Sequence, residues 1–257
     1  MSVGNLRFRD QLTPRRFFEP PPKNVPVDVV LSVALLSHKY EVQHLRRRSI
    51  LHIEQNYAMD MDTFVPRSWL TTGRGPWFVG LETLLNIIIT ATYINALWLL
   101  PASYYHCSNM TPSHTLRDTS SWNSSQCAIV LRNLLAGKIH LEIMDVAYDD
   151  LLGTPPCPEC LHREKCALNK LAVAQRFRRS ITRRKLAGIG EAHTLILWWD
   201  RKWSKETHCK GLCAPCSSAC MSAYESARGD YWDKIPSAFN LPTWEELKLL
   251  REASFSE

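Results

Sequence analysis

A mainly α-helical fold follows from three observations on the chain. Apolar residues recur at three- and four-residue steps through several long segments, the spacing that puts them on one side of a helix. Few segments alternate apolar and polar residues as half-buried strands do. Residues that open or close helices, Asp28, Pro101 and Pro242 among them, stand at the segment ends. At 257 residues, 45% hydrophobic and 22% charged, the chain has enough apolar material for a sizeable core, and its composition excludes wholesale disorder.

Residues 1–27 read as a leader ending in a stiff spacer, because Pro20, Pro21, Pro22 and Pro26 favour extended backbone. Asp28 stands where an N-cap belongs, and VVLSVALLSHKY follows with Val29, Val33, Leu36 and Tyr40 on one face. A second helix is expected from Val42 to Gln55. Leu45, Ser49, His52 and Ile53 line its inner side, and Arg46, Arg47 and Arg48 point mostly elsewhere. Pro66, Gly73, Gly75, Pro76 and Gly80 make residues 56–80 turn-rich.

LETLLNIIITATYINALWLL, residues 81–100, is nearly long enough to span a bilayer, which takes about 20 apolar residues. Glu82, Asn86, Thr90, Thr92 and Asn95 interrupt it at high cost in lipid, so it reads as a core helix ending before Pro101. The polar tract 108–126 is a loop by composition. Helical character returns over residues 127–148, with Gly137 as a candidate break. The segments 217–235 and 243–253 also read as helices. Pro242 opens the second, and its early Glu245 and Glu246 and later Lys248 and Arg251 suit its dipole. Four regions result: residues 1–27, 28–56, a helical middle at 57–154, and a helical cysteine-bearing region at 155–257.

The charge of +6, from 31 basic and 25 acidic residues, permits an acidic partner without demanding one. The N-terminus is charged throughout and lacks the apolar run of a secretory signal. Nine cysteines then point to a reducing compartment, cytoplasmic or nuclear.

The cysteines carry the most specific chemistry. Cys157, Cys160 and Cys166 lie in CPECLHREKC; Cys209, Cys213, Cys216 and Cys220 lie in HCKGLCAPCSSAC. Zinc takes four thiolate or imidazole ligands in a tetrahedron, and a CxxC turn supplies two of them. The paired turns Cys157/Cys160 and Cys213/Cys216 form one ligand set. Drawing Cys160 and Cys166 from the first cluster forms another.

RFRRSITRRK, residues 176–185, holds six basic residues in ten and could follow phosphates. A solvated helix face with Phe177 and Ile181 turned inward explains it as well, and no nucleic-acid motif accompanies it. The tryptophans of LILWWDRKW and ARGDYWDKI read as core. No GxSxG, Walker loop, GxGxxG or HExxH occurs, so no catalytic residue is named and a non-enzymatic role is expected.

Several stretches together resemble one family. RRFFEPPPK with VDVVLSVALLSHKYEVQHLRRRSILHIE is similar to the second half of the BTB/POZ domain in fungal BTB-domain proteins of the mushroom-forming lineage. NALWLLPASYYHC resembles the helix that follows there, and CLHREKC, GLCAPC and DYWDKIPSAFNLPTWEELK resemble the C-terminal cysteine-bearing region. The similar segments begin at Arg15 and end at Lys248, and what precedes them is too short for the first half of a BTB domain. The resemblance therefore implies a partial BTB/POZ helical pair with the N-terminal half missing. It implies a protein-interaction scaffold, with another BTB protein or a cullin ubiquitin ligase as partner, and makes the arginines of HLRRRS surface charge. It also favours one zinc ligand set: Cys160, Cys166, Cys213 and Cys216, with Cys157 as an extra candidate. A zinc-stabilised nuclear nucleic-acid binder using residues 176–185 is the alternative function.

Overall fold

The computed structural model describes residues 18–21, 25–61, 81–108, 125–153, 155–186 and 211–256. Among these are eight α-helices and no strand. Of the expected loop at 108–126, residues 109–124 lie outside the described residues, as do LILWWDRKW and most of the turn-rich stretch before Leu81; Ser108 ends one helix, and Ser125 and Gln126 begin another.

Helices α1 (Val27–Lys39) and α2 (Gln43–Glu54) pack together as a hairpin. Asp28 is not the N-cap. The carbonyl of Pro26 accepts the amides of Val29 and Val30, both at 3.1 Å, so the helix starts two residues earlier, at Val27, and Asp28 sits in its first turn. The inner face of α1 is also turned from the expected one. Val30, Leu31, Ala34 and Ser37 are buried, whereas Leu36 and Tyr40 are 55% and 65% exposed. The cause is that α1 packs against two partners, α2 and α3, and its broad apolar side lets either register satisfy the spacing. In α2, Ser49, His52 and Ile53 are buried as expected.

Two of the three arginines are clasps rather than surface charge. Arg46 donates to the Ile94 carbonyl at 3.0 Å and to the Ser254 hydroxyl at 3.1 Å. Arg48 donates to the Phe18 carbonyl at 2.6 Å. Arg47 is exposed, with its guanidinium 5.2 Å from the Phe255 ring centroid. Arginine suits this role because its planar fork reaches several acceptors at once.

Residues 81–108 form not one helix but three pieces: α3 (Leu81–Tyr93), a 3-10 turn (Leu97–Leu99) and α4 (Leu100–Ser108). Pro101 lies in the first turn of α4, where its missing amide costs nothing, so it opens a helix where it was expected to follow one. No described helix is long and apolar enough to cross a membrane. Every residue of α4 is buried. Tyr104 stacks on Phe239 at 5.1 Å, and Tyr105 meets Tyr231 edge-on at 6.4 Å.

His106 lies in the same helix, edge-on to Tyr57 at 5.9 Å, and burial pushes its pKa down to about 4. The unfolded chain binds a proton at this residue near pH 6.5 while the folded chain does not, so stability falls as pH drops between those values. The expected loss is roughly 3 kcal/mol by pH 4. Urea melts of wild type and His106→Asn at pH 7 and pH 4.5 check it, since other acid-sensitive groups cancel in the difference. An equal acid penalty in both proteins removes His106 from the account.

Helix α5 (Ser125–Gly153) runs unbroken through Gly137. The glycine is there for space: a Cβ at this position would overlap the Phe239 ring. Alanine gains about 1 kcal/mol of helix propensity but forces a fully buried ring aside, so Gly137→Ala is expected to destabilise by about 2 kcal/mol. In a Phe239→Ala background the same change should be neutral or stabilising. A double-mutant cycle by chemical denaturation reads the coupling.

Helices α6 (Arg163–Leu186) and α7 (Ala214–Ala238) both pack on α5. Trp232 of α7 lies in the core as expected, stacked at 4.9 Å on Trp244 of the last helix, α8 (Trp244–Ser256). Thr243 and Glu246 cap α8 reciprocally: the Thr243 amide donates to the Glu246 carboxylate at 2.8 Å, and the Glu246 amide donates to the Thr243 hydroxyl at 3.3 Å. Helix α8 returns to the 3-10 turn, where Glu54 accepts the Trp98 indole N–H at 2.7 Å and both donors of the Arg251 fork at 2.7 and 3.0 Å.

Candidate metal centre

Two helix N-termini carry the cysteines. Residues 155–160 form a turn closed by the Cys160 amide on the Cys157 carbonyl at 3.0 Å. The chain then enters α6, whose first turn holds Cys166, with its amide on the His162 carbonyl at 2.9 Å. On the other side Cys213 precedes α7, and Ala214–Pro215 begin it, with proline where no amide partner is needed. Cys216 therefore falls in the first turn and is buried.

Two contacts draw these termini together, and a third fixes the turn before α6. Gly211 adopts the left-handed backbone, φ +86°, that glycine reaches without strain. Its carbonyl accepts the Asn169 side-chain amide at 2.8 Å, pinning the approach to α7 against α6. Lys170, buried, donates to the Pro155 carbonyl at 3.2 Å and fixes the turn before α6. The Cys213 amide points at the Cys166 sulfur at 3.4 Å, the orientation that stabilises a thiolate.

The sulfurs of Cys160, Cys166, Cys213 and Cys216 consequently lie within 4.8 Å of one another, and the group can hold a metal ion. Metal–thiolate bonds of about 2.3 Å set tetrahedral sulfurs about 3.8 Å apart, and the Cys160 and Cys213 sulfurs are 3.7 Å apart. All four are free thiols. Backbone amides of Cys216 and Leu161 hold the Cys213 pKa down, at about 6, while burial pushes Cys216 up to about 11. A dication at the centre would draw every thiol to the thiolate and release protons.

Cys157 is not one of the four, although its sulfur lies 3.4 Å from that of Cys216. Asn169, Lys170 and Gly211 were not singled out in the sequence. Asn169 follows Cys166 by three residues, so helical spacing alone puts both on one side of α6. The basic segment 176–185 lies in α6, and of its basic side chains only Arg179 is described, exposed. Cys209 lies outside the described residues.

The chain matches no protein-family model, no curated protein and no solved structure.

Proposed function

We propose that this protein is a non-enzymatic protein-interaction scaffold of the BTB/POZ kind, with its cysteine-bearing end clasped by a structural zinc ion. The four-thiol cluster carries the zinc part of the reading, and the resemblance of the segments quoted above carries the BTB/POZ part. An all-cysteine set fills the tetrahedron and leaves no open coordination position for substrate, which is the arrangement of structural rather than catalytic zinc. A cleft of about 280 Å³ beside α8 includes Glu54, Asp60 and Arg251, but the Glu54 carboxylate is taken up by Arg251 and Trp98.

Helix α5 supplies a surface for a partner. Val130, Leu134, Gly137 and Leu141 face inward, and on the opposite side Leu135, Ile139 and Ile143 are 55–63% exposed at four-residue steps. Such a row is what a groove or helix on another protein reads. The partner class is another BTB protein or a cullin.

The test is a pull-down with tagged protein from nuclease-treated extract at low and high salt. A cullin or BTB protein retained at both salts, and lost from the Leu135→Asp/Ile139→Asp variant, supports the scaffold, because an apolar interface is weakly screened. Retention only of nucleic acid from untreated extract, removed by salt, replaces this reading with the basic segment of α6 as the working surface.

A further inference from the structure

Five thiols stand where four are needed. We propose that Cys157 is a redox trigger for the metal centre: a hydroperoxide oxidises it, and it then forms a disulfide with Cys216 that removes one ligand from the ion. This rests on the zinc reading above and adds a regulatory step to the same site.

The geometry selects the pair. Cys157 is half-buried, in the turn before α6, and its sulfur is 3.4 Å from that of Cys216. A disulfide bond is about 2.05 Å long, so the two sulfurs need to close by only about 1.4 Å. The Cys160 and Cys213 sulfurs are almost as close at 3.7 Å, but both belong to the four mutually adjacent thiols. Bound thiolates share their lone pairs with the ion, whereas Cys157 keeps its own. Cys216 sits in the first turn of α7 and Cys157 just outside α6, so the new bond would join the same two elements that the ion joins.

The chemistry balances in two steps. The Cys157 thiolate attacks the O–O bond of hydrogen peroxide, giving the sulfenic acid and hydroxide. The Cys216 thiolate, leaving the ion, then attacks the sulfenic sulfur, forming the S–S bond and expelling a second hydroxide. The Cys157 proton converts one hydroxide to water and a proton from solvent converts the other, because Cys216 gave up its own when the ion bound; one thiol, one bound thiolate, one peroxide and one proton yield one disulfide and two waters. Cys160, Cys166 and Cys213 are left as three ligands, and the ion becomes exchangeable with a chelator. Two equivalents of a small thiol reverse the sequence by exchange through a mixed disulfide.

The experiment follows zinc release to a chromogenic chelator after addition of stoichiometric hydrogen peroxide, with peptide mapping of disulfides by mass spectrometry. Wild type is expected to lose its zinc with formation of Cys157–Cys216. Cys157→Ser and Cys157→Ala should purify with full zinc and release it at least about tenfold more slowly. Unchanged release from these variants, or a disulfide mapped to another pair, overturns the proposal. So does purification of both variants without zinc, which would make Cys157 a ligand. Wild type that carries no metal defeats the zinc reading instead; mapping of the oxidised apoprotein then decides the cysteine pair by itself.

Discussion

Stripping the metal with a strong chelator is expected to lower the unfolding free energy by about 4 kcal/mol, for a free metal concentration a thousandfold above Kd. An ion held by the four thiols would bind the folded arrangement and not the open chain, so its binding free energy would be folding free energy. Its ligands would come from two stretches, at Cys160/Cys166 and Cys213/Cys216, which meet through the Asn169–Gly211 and Cys213–Cys166 contacts and through packing of α6 and α7 on α5. Cys213→Ser should reproduce the loss without chelator, reducing metal content from about one ion per chain to none. Metal analysis beside denaturant melts reads both quantities. With chelator present the two proteins should melt together. A metal-free wild type of undiminished stability would end the clasp reading.

Trp98→Ala is expected to cost about 3–5 kcal/mol, the range for truncating a large buried aromatic. The indole is fully buried in the 3-10 turn, beside Phe255 at 6.1 Å. Its N–H reaches the carboxylate that Arg251 holds. Trp98→Phe keeps most of the apolar bulk and removes the donor, so about 1 kcal/mol of hydrogen bonding and some packing should be lost. Urea unfolding of both variants separates the contributions. Equal losses from phenylalanine and alanine would place the value in the hydrogen bond rather than in the packing.

Helix identity was legible from apolar spacing, and so, to within a residue, was the break between α1 and α2; the break after Tyr93 was not. Glu41, Asn95 and Asn240 all hold the left-handed backbone where helices usually end in glycine. Each is followed by the same closure: the amides of Val42, Ala96 and Leu241 reach back to the carbonyls of Ser37, Ala91 and Pro236 at 2.8, 2.8 and 2.9 Å. A reader looking for glycine sees continuous helix through Asn95, which is why residues 81–100 read as one element. The face of α1 failed differently, because two helices compete for it and composition does not rank them. Gly137 looked like a break because the demand for its small size comes from Phe239, about a hundred positions away.

At the cysteines, CxxC spacing marked the chemistry but left Cys157 and Cys166 as rivals. Only the placement of α6 against α7 separates them, and that depends on Asn169 and Gly211, neither of which carries a ligand signature.

The clasp formed by Glu54 and Arg251 also bears on biosynthesis. The two residues are 197 positions apart, and Arg46 waits still longer, 208 positions, for Ser254. At about 5–20 residues per second a ribosome needs roughly 10–40 s to supply Arg251 after Glu54. Through that interval the α1–α2 hairpin and the Trp98 turn must exist without their lid. The nascent chain is therefore expected to be a chaperone client until α8 emerges, and slowed elongation late in the message should lengthen its exposure to proteases.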